Sequence, residues 1–138
     1  MSSPRIAPVN PAALPKPAGY SHGVEARGGR TLYIAGQVAR NARHEVVVKG
    51  DLVAQFRQVC ENIRLLVREA GGEMTDIAKL TIYVLDVAEY RRRLKEIGGV
   101  YREYFGKHFP AMTLVGARDL FDAEDGCAIE IEGIAVLS

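Results

Sequence analysis

Apolar residues recur at intervals of three and four between positions 52 and 70, which is the spacing of one face of an α-helix. Asp51 precedes this pattern and can cap a helix by accepting from free backbone N–H groups. Gly71 and Gly72 follow the pattern and favour its termination. The spacing therefore predicts an amphipathic helix that begins after Asp51.

A second apolar stripe predicts a helix from about Ala88 to Phe105. Gly98 and Gly99 weaken its centre, so we expect a break or kink there. Stretches rich in β-favouring residues predict five strands, over residues 20–26, 31–35, 77–85, 112–115 and 128–137. The first two strands flank Gly28 and Gly29 and are expected to form a hairpin. The resulting order is ββαβαββ.

Each predicted helix has one apolar stripe, which favours an α+β fold: one mixed sheet with both helices on a single face. Along the last strand, Ile129 and Ile131 should point toward the helices, and Glu130 and Glu132 away from them. Nothing in the chain is left to cover the second sheet face. We therefore expect the protein to associate with copies of itself.

The N-terminal segment differs from the rest of the chain, because residues 1–19 contain five of the six prolines. Proline removes a backbone donor and disfavours helix in the residue before it, so this segment is predicted to be an extended arm. The remaining residues, 20–138, are expected to form one domain, given the length of 138 residues and 48% hydrophobic content.

Charge and cysteine usage exclude several classes of function. A formal net charge of +1, from 18 basic and 17 acidic residues, argues against a nucleic-acid partner. Neither a secretory signal nor a long apolar run is evident, so a cytoplasmic protein without a membrane partner is expected. Cys60 and Cys127 lie outside any metal-binding motif and are interpreted as reduced, buried thiols; no metal or other cofactor is expected.

Several short motifs follow one another along nearly the whole chain. They are Gly19-Tyr20-Ser21, Ile34-Ala35-Gly36-Gln37, the helix from Gln58 to Ala70, Lys79 to Val84, Tyr104-Phe105, Phe109-Pro110-Ala111 and Ile129 to Val136. In this order and spacing, the chain resembles the RidA/YjgF family of reactive intermediate deaminases, called L-PSP endoribonucleases in older usage.

This resemblance implies a chorismate mutase-like homotrimer with clefts between its subunits. Archetypal members of the family hydrolyse enamines and imines, such as 2-aminoacrylate, to a keto acid and ammonia. This chemistry requires a substrate anchor, orienting donors, and an acid/base for water and proton. By the resemblance, Glu130 positions water, the Tyr20 hydroxyl reaches the ligand, and the Gly36 backbone lines the pocket.

The chain departs from the family pattern at the substrate anchor. The family arginine that follows Phe-Pro-Ala is replaced by Met112, and Leu114 stands where archetypes commonly carry cysteine. A thioether cannot form the two parallel hydrogen bonds with which a guanidinium holds a carboxylate. Ala35 replaces a frequent serine. We therefore expect a more apolar cleft and a less acidic small-molecule substrate.

Ordinary structural roles remain open for these residues. Glu130 fits a half-exposed strand position, and Tyr20 fits a packing aromatic at an interface. His22 shares a strand face with Tyr20 and is either a cleft residue or a structural hydrogen bonder. Arg40 and Arg118 are two further cations whose contribution to the cleft the sequence leaves open.

Three functions compete at this point. The first is a RidA-like imine or enamine deaminase that acts on an unknown substrate. The second is a non-catalytic trimer that binds a small molecule or a partner. The third, ranked last because of the near-neutral charge, is an endoribonuclease.

Overall fold

A computed structural model describes residues 5–138 as an α+β fold built on a four-stranded mixed sheet. The strands are β1 (Ile6–Val9), β2 (Gly23–Ala26), β3 (Arg30–Gln37), β4 (Ile77–Val84), β5 (Ala111–Gly116) and β6 (Ile129–Leu137). The helices are α1 (Leu52–Glu69), α2 (Val87–Arg92) and α3 (Leu94–Phe105). Short 3₁₀ turns, Met74–Asp76 and Ala123–Asp125, precede β4 and β6.

The main sheet has the order β3-β6-β4-β5. β6 is antiparallel to both of its neighbours, and β4 pairs in parallel with the edge strand β5. Side chains alternate along β6 as the sequence predicts: Ile129 and Ile131 are buried under the helices, Glu130 is half-buried on the other face, and Glu132 is exposed there. Along β4, Leu80 and Ile82 likewise face the core.

Helix α1 begins as its sequence predicts. The Asp51 carboxylate accepts a hydrogen bond of 3.0 Å from the Ala54 amide, which satisfies one of the free N–H groups of the first turn. Gly71, with a φ of +92°, continues the chain beyond the helix in a conformation that favours glycine. The buried face of α1 packs on the sheet and on α3.

The second helical region is broken, but not at its glycines. α2 ends and α3 begins at Arg93, whereas Gly98 and Gly99 lie inside the continuous helix α3. The predicted break exists, therefore, but its predicted position was wrong. The remaining contacts of α3, through Ile97, Val100 and neighbouring residues, hold the glycine-containing turn against the core.

The predicted hairpin was also wrong, because β2 pairs with β1 of the proline-rich arm and not with β3. The extended arm therefore carries a strand, and Met1–Pro4 lie outside the described residues. Arg5 anchors the arm through an ion pair with Asp76 and a hydrogen bond to the Val136 carbonyl. These contacts, which join residues far apart in the sequence, outweigh the local tendency of Gly28 and Gly29 to form a hairpin turn.

Candidate active site

Glu130 and Gly36 lie together on the sheet face opposite the helices. β3 and β6 are neighbours, and an irregularity in their pairing between Ile34 and Gln37 sets the position of Gly36. A β-carbon on Gly36 would overlap the Glu130 carboxylate, so the absence of a side chain admits the carboxylate at this point. Both residues line a groove of about 330 Å³, which we call the Glu130 groove.

Three physical effects raise the pKa of the Glu130 carboxyl above its ordinary value. Partial burial is the largest, followed by the negative charges of Asp122 and Glu132. A carboxyl of this kind holds a proton more readily than a solvated glutamate does, which suits it to acid/base exchange with a bound water.

Tyr83 and Glu132 form the neighbouring wall of the groove. Tyr83 pairs with Glu130 in the β4–β6 register, and its hydroxyl donates a hydrogen bond of 2.7 Å to the Glu132 carboxylate. This hydrogen bond raises the pKa of the Tyr83 phenol. Sequence reasoning missed Tyr83 as a site residue, although its alternation with Ile82 and Val84 places it on the outer face.

The connection between β5 and β6 closes the other side of the groove with Ala117, Asp119, Leu120 and Phe121. Phe121 is 95% exposed. Sequence periodicity could not have found it, because a loop has no repeating pattern.

Arg40 fastens this connection to the segment that follows β3. Its guanidinium contacts Asp122 and Asp125 at 2.7 Å each and donates a hydrogen bond of 2.6 Å to the His44 carbonyl. Arg40 is therefore committed to a structural clamp beside the groove. Arg118, the other cation left open by the sequence, is exposed.

Tyr20 and His22 lie elsewhere, on the segment that leads into β2. Their rings meet edge to face with centroids 5.4 Å apart. The His22 ring donates from Nε2 to the Pro15 carbonyl at 2.6 Å, and its amide binds the Asn10 side chain, so it acts as a structural hydrogen bonder. Neither residue lines the Glu130 groove.

Met112 and Leu114 also lie away from Glu130 within one chain. Their register partners on β4 are Leu80 and Ile82, which face the helices, and both residues pack against the hydrophobic core. They can share a cleft with Glu130 only across a subunit boundary. Ala35, by contrast, is exposed next to Gly36 on β3.

Neither cysteine lines the Glu130 groove. Cys60 and Cys127 are buried, and burial raises the pKa of the Cys60 thiol to about 12, which keeps it protonated. Among residues 5–138, no cluster of three or more histidine, cysteine or acidic side chains is arranged to hold a metal ion. No helix in this range has the length and hydropathy needed to cross a membrane.

Comparisons with known proteins converge on one family. The family model described as Endoribonuclease L-PSP matches residues 11–137. A RutC family protein of Pyrococcus horikoshii is 38% identical over 88% of this chain and 90% of its own. A 2-iminobutanoate/2-iminopropanoate deaminase of Dermatophagoides farinae is 30% identical over 99% of both chains.

Solved structures agree with these sequence matches. A protein of unknown function of the Rid family from Yersinia pestis superposes with a TM-score of 0.85 at 36% identity, covering 96% of this chain and 99% of that one. RidA from an Antarctic Psychrobacter gives a TM-score of 0.66 at 26% identity, with 93% and 94% coverage. The chain therefore belongs to the RidA/YjgF superfamily.

Proposed function

We propose that this protein hydrolyses an imine or enamine to a carbonyl compound and ammonia, with Glu130 as the acid/base. The observation that carries this proposal is the Glu130 carboxyl itself, half-buried, seated against Gly36 and raised in pKa by its surroundings. Full-length similarity to a 2-iminobutanoate/2-iminopropanoate deaminase supports the reaction class.

The reaction needs only one proton-transferring group. Water adds to the C=N carbon, its oxygen forms the new C–O bond, and the Glu130 carboxylate takes the proton that water releases. The same carboxyl returns this proton to nitrogen. The carbinolamine then passes its hydroxyl proton through Glu130 to nitrogen, its C–N bond breaks, and ammonia and the carbonyl product leave.

The substrate is proposed to be less acidic than 2-iminopropanoate. The resemblance assigns carboxylate binding to an arginine at the position of Met112, and a thioether makes no charge-assisted hydrogen bond. Within the Glu130 groove, the charged residues Asp119, Glu130 and Glu132 are all acidic and would repel a substrate carboxylate. Leu120 and Phe121 supply apolar surface beside them.

A homotrimer is part of the same proposal. The outer sheet face is uncovered in one chain, and Tyr33, on the edge strand β3, is 76% exposed there. Exposed apolar surface of this kind favours self-association. Tyr20, Met112 and Leu114 would then take part at Glu130 only from a neighbouring subunit.

The decisive experiment compares Glu130→Gln with wild type in ammonia release from 2-iminopropanoate and from a neutral imine. We expect kcat to fall by about 10²- to 10⁴-fold, the usual contribution of a general acid/base. Glu132→Gln is the matched control, since it removes a carboxylate two residues along the same strand. We also expect the neutral imine to be the better wild-type substrate.

Absence of turnover above buffer with every imine would contradict the proposal. Ligands that then raise the Tm without being consumed would favour the non-catalytic binding function. Cleavage of purified single-stranded RNA that Glu130→Gln abolishes would instead favour the ribonuclease.

A further inference from the structure

One polar residue interrupts the buried face of helix α1. Gln55 is fully buried, whereas the other buried residues of this helix are apolar. Its Oε1 accepts a hydrogen bond from the Ala128 amide at 2.8 Å, and its Nε2 donates to the carbonyls of Gly126 at 2.7 Å and Val48 at 3.2 Å. Burial of a carboxamide is costly unless it is hydrogen-bonded, so these three contacts explain its place in the core.

Two of these contacts hold the chain just before β6. Gly126 and Ala128 precede Ile129, the first residue of the strand, and Glu130 follows it. The Ala128 carbonyl accepts from the Leu85 amide at 3.2 Å, just after β4. Ala128 is therefore fixed through its N–H by α1 and through its carbonyl by the end of β4. Because side chains alternate along a strand, the way the chain enters β6 determines where the Glu130 carboxylate lies.

The three hydrogen bonds of Gln55 are not equivalent. The carbonyls of Gly126 and Val48 each accept from a second backbone amide as well, at 3.0 Å. Loss of the Gln55 carboxamide therefore leaves both carbonyls with a partner but removes the acceptor of the Ala128 amide. A partly buried amide without a partner is unfavourable, so the chain before β6 is the part that shifts to recover one.

The turn before β6 also carries Asp122, whose negative charge acts on Glu130. The Cys127 amide donates to the Asp122 carbonyl at 3.2 Å, and the Asp122 carboxylate is paired with Arg40. A shift of this turn changes both the position of the Glu130 carboxylate and its distance from Asp122. Gln55 itself does not line the Glu130 groove, so it acts through the backbone.

We infer that Gln55 is a positioning residue of the Glu130 groove: its carboxamide fixes the entry to β6 and so places the Glu130 carboxylate beside Gly36. The inference rests on the proposed function, since this placement affects turnover only where Glu130 is the acid/base. It adds to that function a residue that touches no substrate.

The first test is Gln55→Met, which removes the carboxamide and keeps the length of the side chain. We expect kcat for imine hydrolysis to fall by about tenfold or more, since displacement of a catalytic group by about 1 Å costs up to about 10²-fold. KM should change little, because no contact with the substrate is removed. A rise in KM with unchanged kcat would contradict a positioning role.

Two further variants separate positioning from stability. Val67→Ala deletes buried methyl groups on the same helix, about three turns later, and should lower the Tm while kcat is unchanged. Gln55→Glu keeps an acceptor for the Ala128 amide but turns its second oxygen toward two carbonyls. It should therefore be less stable than Gln55→Met and yet retain a higher kcat. A kcat that follows the Tm across the three variants would overturn the inference.

A carboxyl NMR titration of Glu130 tests the placement without turnover. The titratable and charged groups around this carboxyl are Asp119, Asp122, Glu132, Tyr83 and Arg40. Gln55→Met changes none of them, so a move of the Glu130 pKa toward its ordinary value would report displacement of the carboxylate. An unchanged Glu130 pKa would contradict the inference. Wild type that hydrolyses no imine would contradict only the proposed function, and the titration would still decide whether Gln55 places Glu130.

Discussion

Gly36 lies so close to Glu130 that a β-carbon on the glycine would overlap the glutamate carboxylate. Gly36 does not have a positive φ, so its backbone conformation is open to alanine. The glycine is therefore required for space and not for backbone freedom. This relationship makes its substitution a specific probe of where the carboxylate must lie.

Gly36→Ala is expected to lower kcat/KM by about 10- to 100-fold, because displacement of a catalytic group by about 1 Å costs up to about 10²-fold. The Tm should change little, since the displaced carboxylate can move into the open groove. Ala35→Gly, at the preceding exposed residue, serves as the control. Full activity in Gly36→Ala would show that the observed position of Glu130 is not needed.

The raised pKa of Glu130 has a consequence for stability. The folded protein holds this proton more tightly than the unfolded chain does, so the ionised carboxyl destabilises the fold. This penalty is absent below the unfolded-state pKa and grows as the pH rises through the folded-state pKa. Glu130→Gln is therefore expected to be more stable than wild type at neutral pH, with the advantage disappearing in acid.

Urea denaturation of the two proteins between pH 4 and pH 8 measures this difference. Wild-type kcat/KM should also fall as the pH drops through the raised pKa, because protonated Glu130 cannot accept a proton from water. A Gln variant less stable than wild type at neutral pH would show that the carboxylate is stabilised by its surroundings.

The ion pairs of Arg40 predict that its substitution changes the pH dependence of kcat/KM. Asp122 raises the pKa of Glu130, and Arg40 holds and partly neutralises Asp122. The other titratable groups of the Glu130 groove are Glu132, which also raises its pKa, Tyr83 and Asp119. In Arg40→Gln the negative charge of Asp122 is uncompensated, so the acid limb of kcat/KM should move to higher pH.

Arg40→Lys should restore part of this shift, because lysine keeps the charge but cannot reproduce the forked contacts. Arg118→Gln removes a cation from the same connection and should leave the profile unchanged. An unaltered acid limb in Arg40→Gln would argue that Asp122 does not act on Glu130. Salt titration separates this charge effect from loop rearrangement, since screening weakens only the former.

How far the sequence could predict this structure depends on the range of the interactions concerned. The Asp51 cap and the alternation of Glu130 with Ile131 follow from local chemistry and strand geometry, and both were predictable. The pairing of β2 with β1 was not, because contacts from Arg5 to residues more than seventy positions away help to fix the arm. The glycine pair alone favoured a hairpin.

The candidate site was predictable to a similar degree. Glu130 and Gly36, both expected in the site, lie next to each other. The sheet face on which Met112 lies depends on its pairing with Leu80 of β4, and the residues around Met112 do not encode that pairing. Phe121 lies in a loop, which has no repeating residue pattern, so the sequence did not indicate its exposed position beside the groove.

Met112 offers a final test, because two arguments about its position disagree. Its packing within a single chain favours an apolar side chain, whereas the family resemblance implies an arginine. It packs against the core and lines a cavity between α3, β4 and β5, where the charged lining residues, Arg102 and Lys107, are already positive. Met112→Arg adds a third cation without an acidic partner, so we expect a loss of about 1–3 kcal/mol in the free energy of unfolding. Met112→Leu, which conserves volume and polarity, should cost less than about 1.5 kcal/mol. Urea denaturation compares the two variants, and ammonia release from 2-iminopropanoate is measured alongside. An arginine variant as stable as the leucine variant, with a gain in activity on this acidic imine, would place the guanidinium in a carboxylate-binding cleft and contradict the apolar assignment.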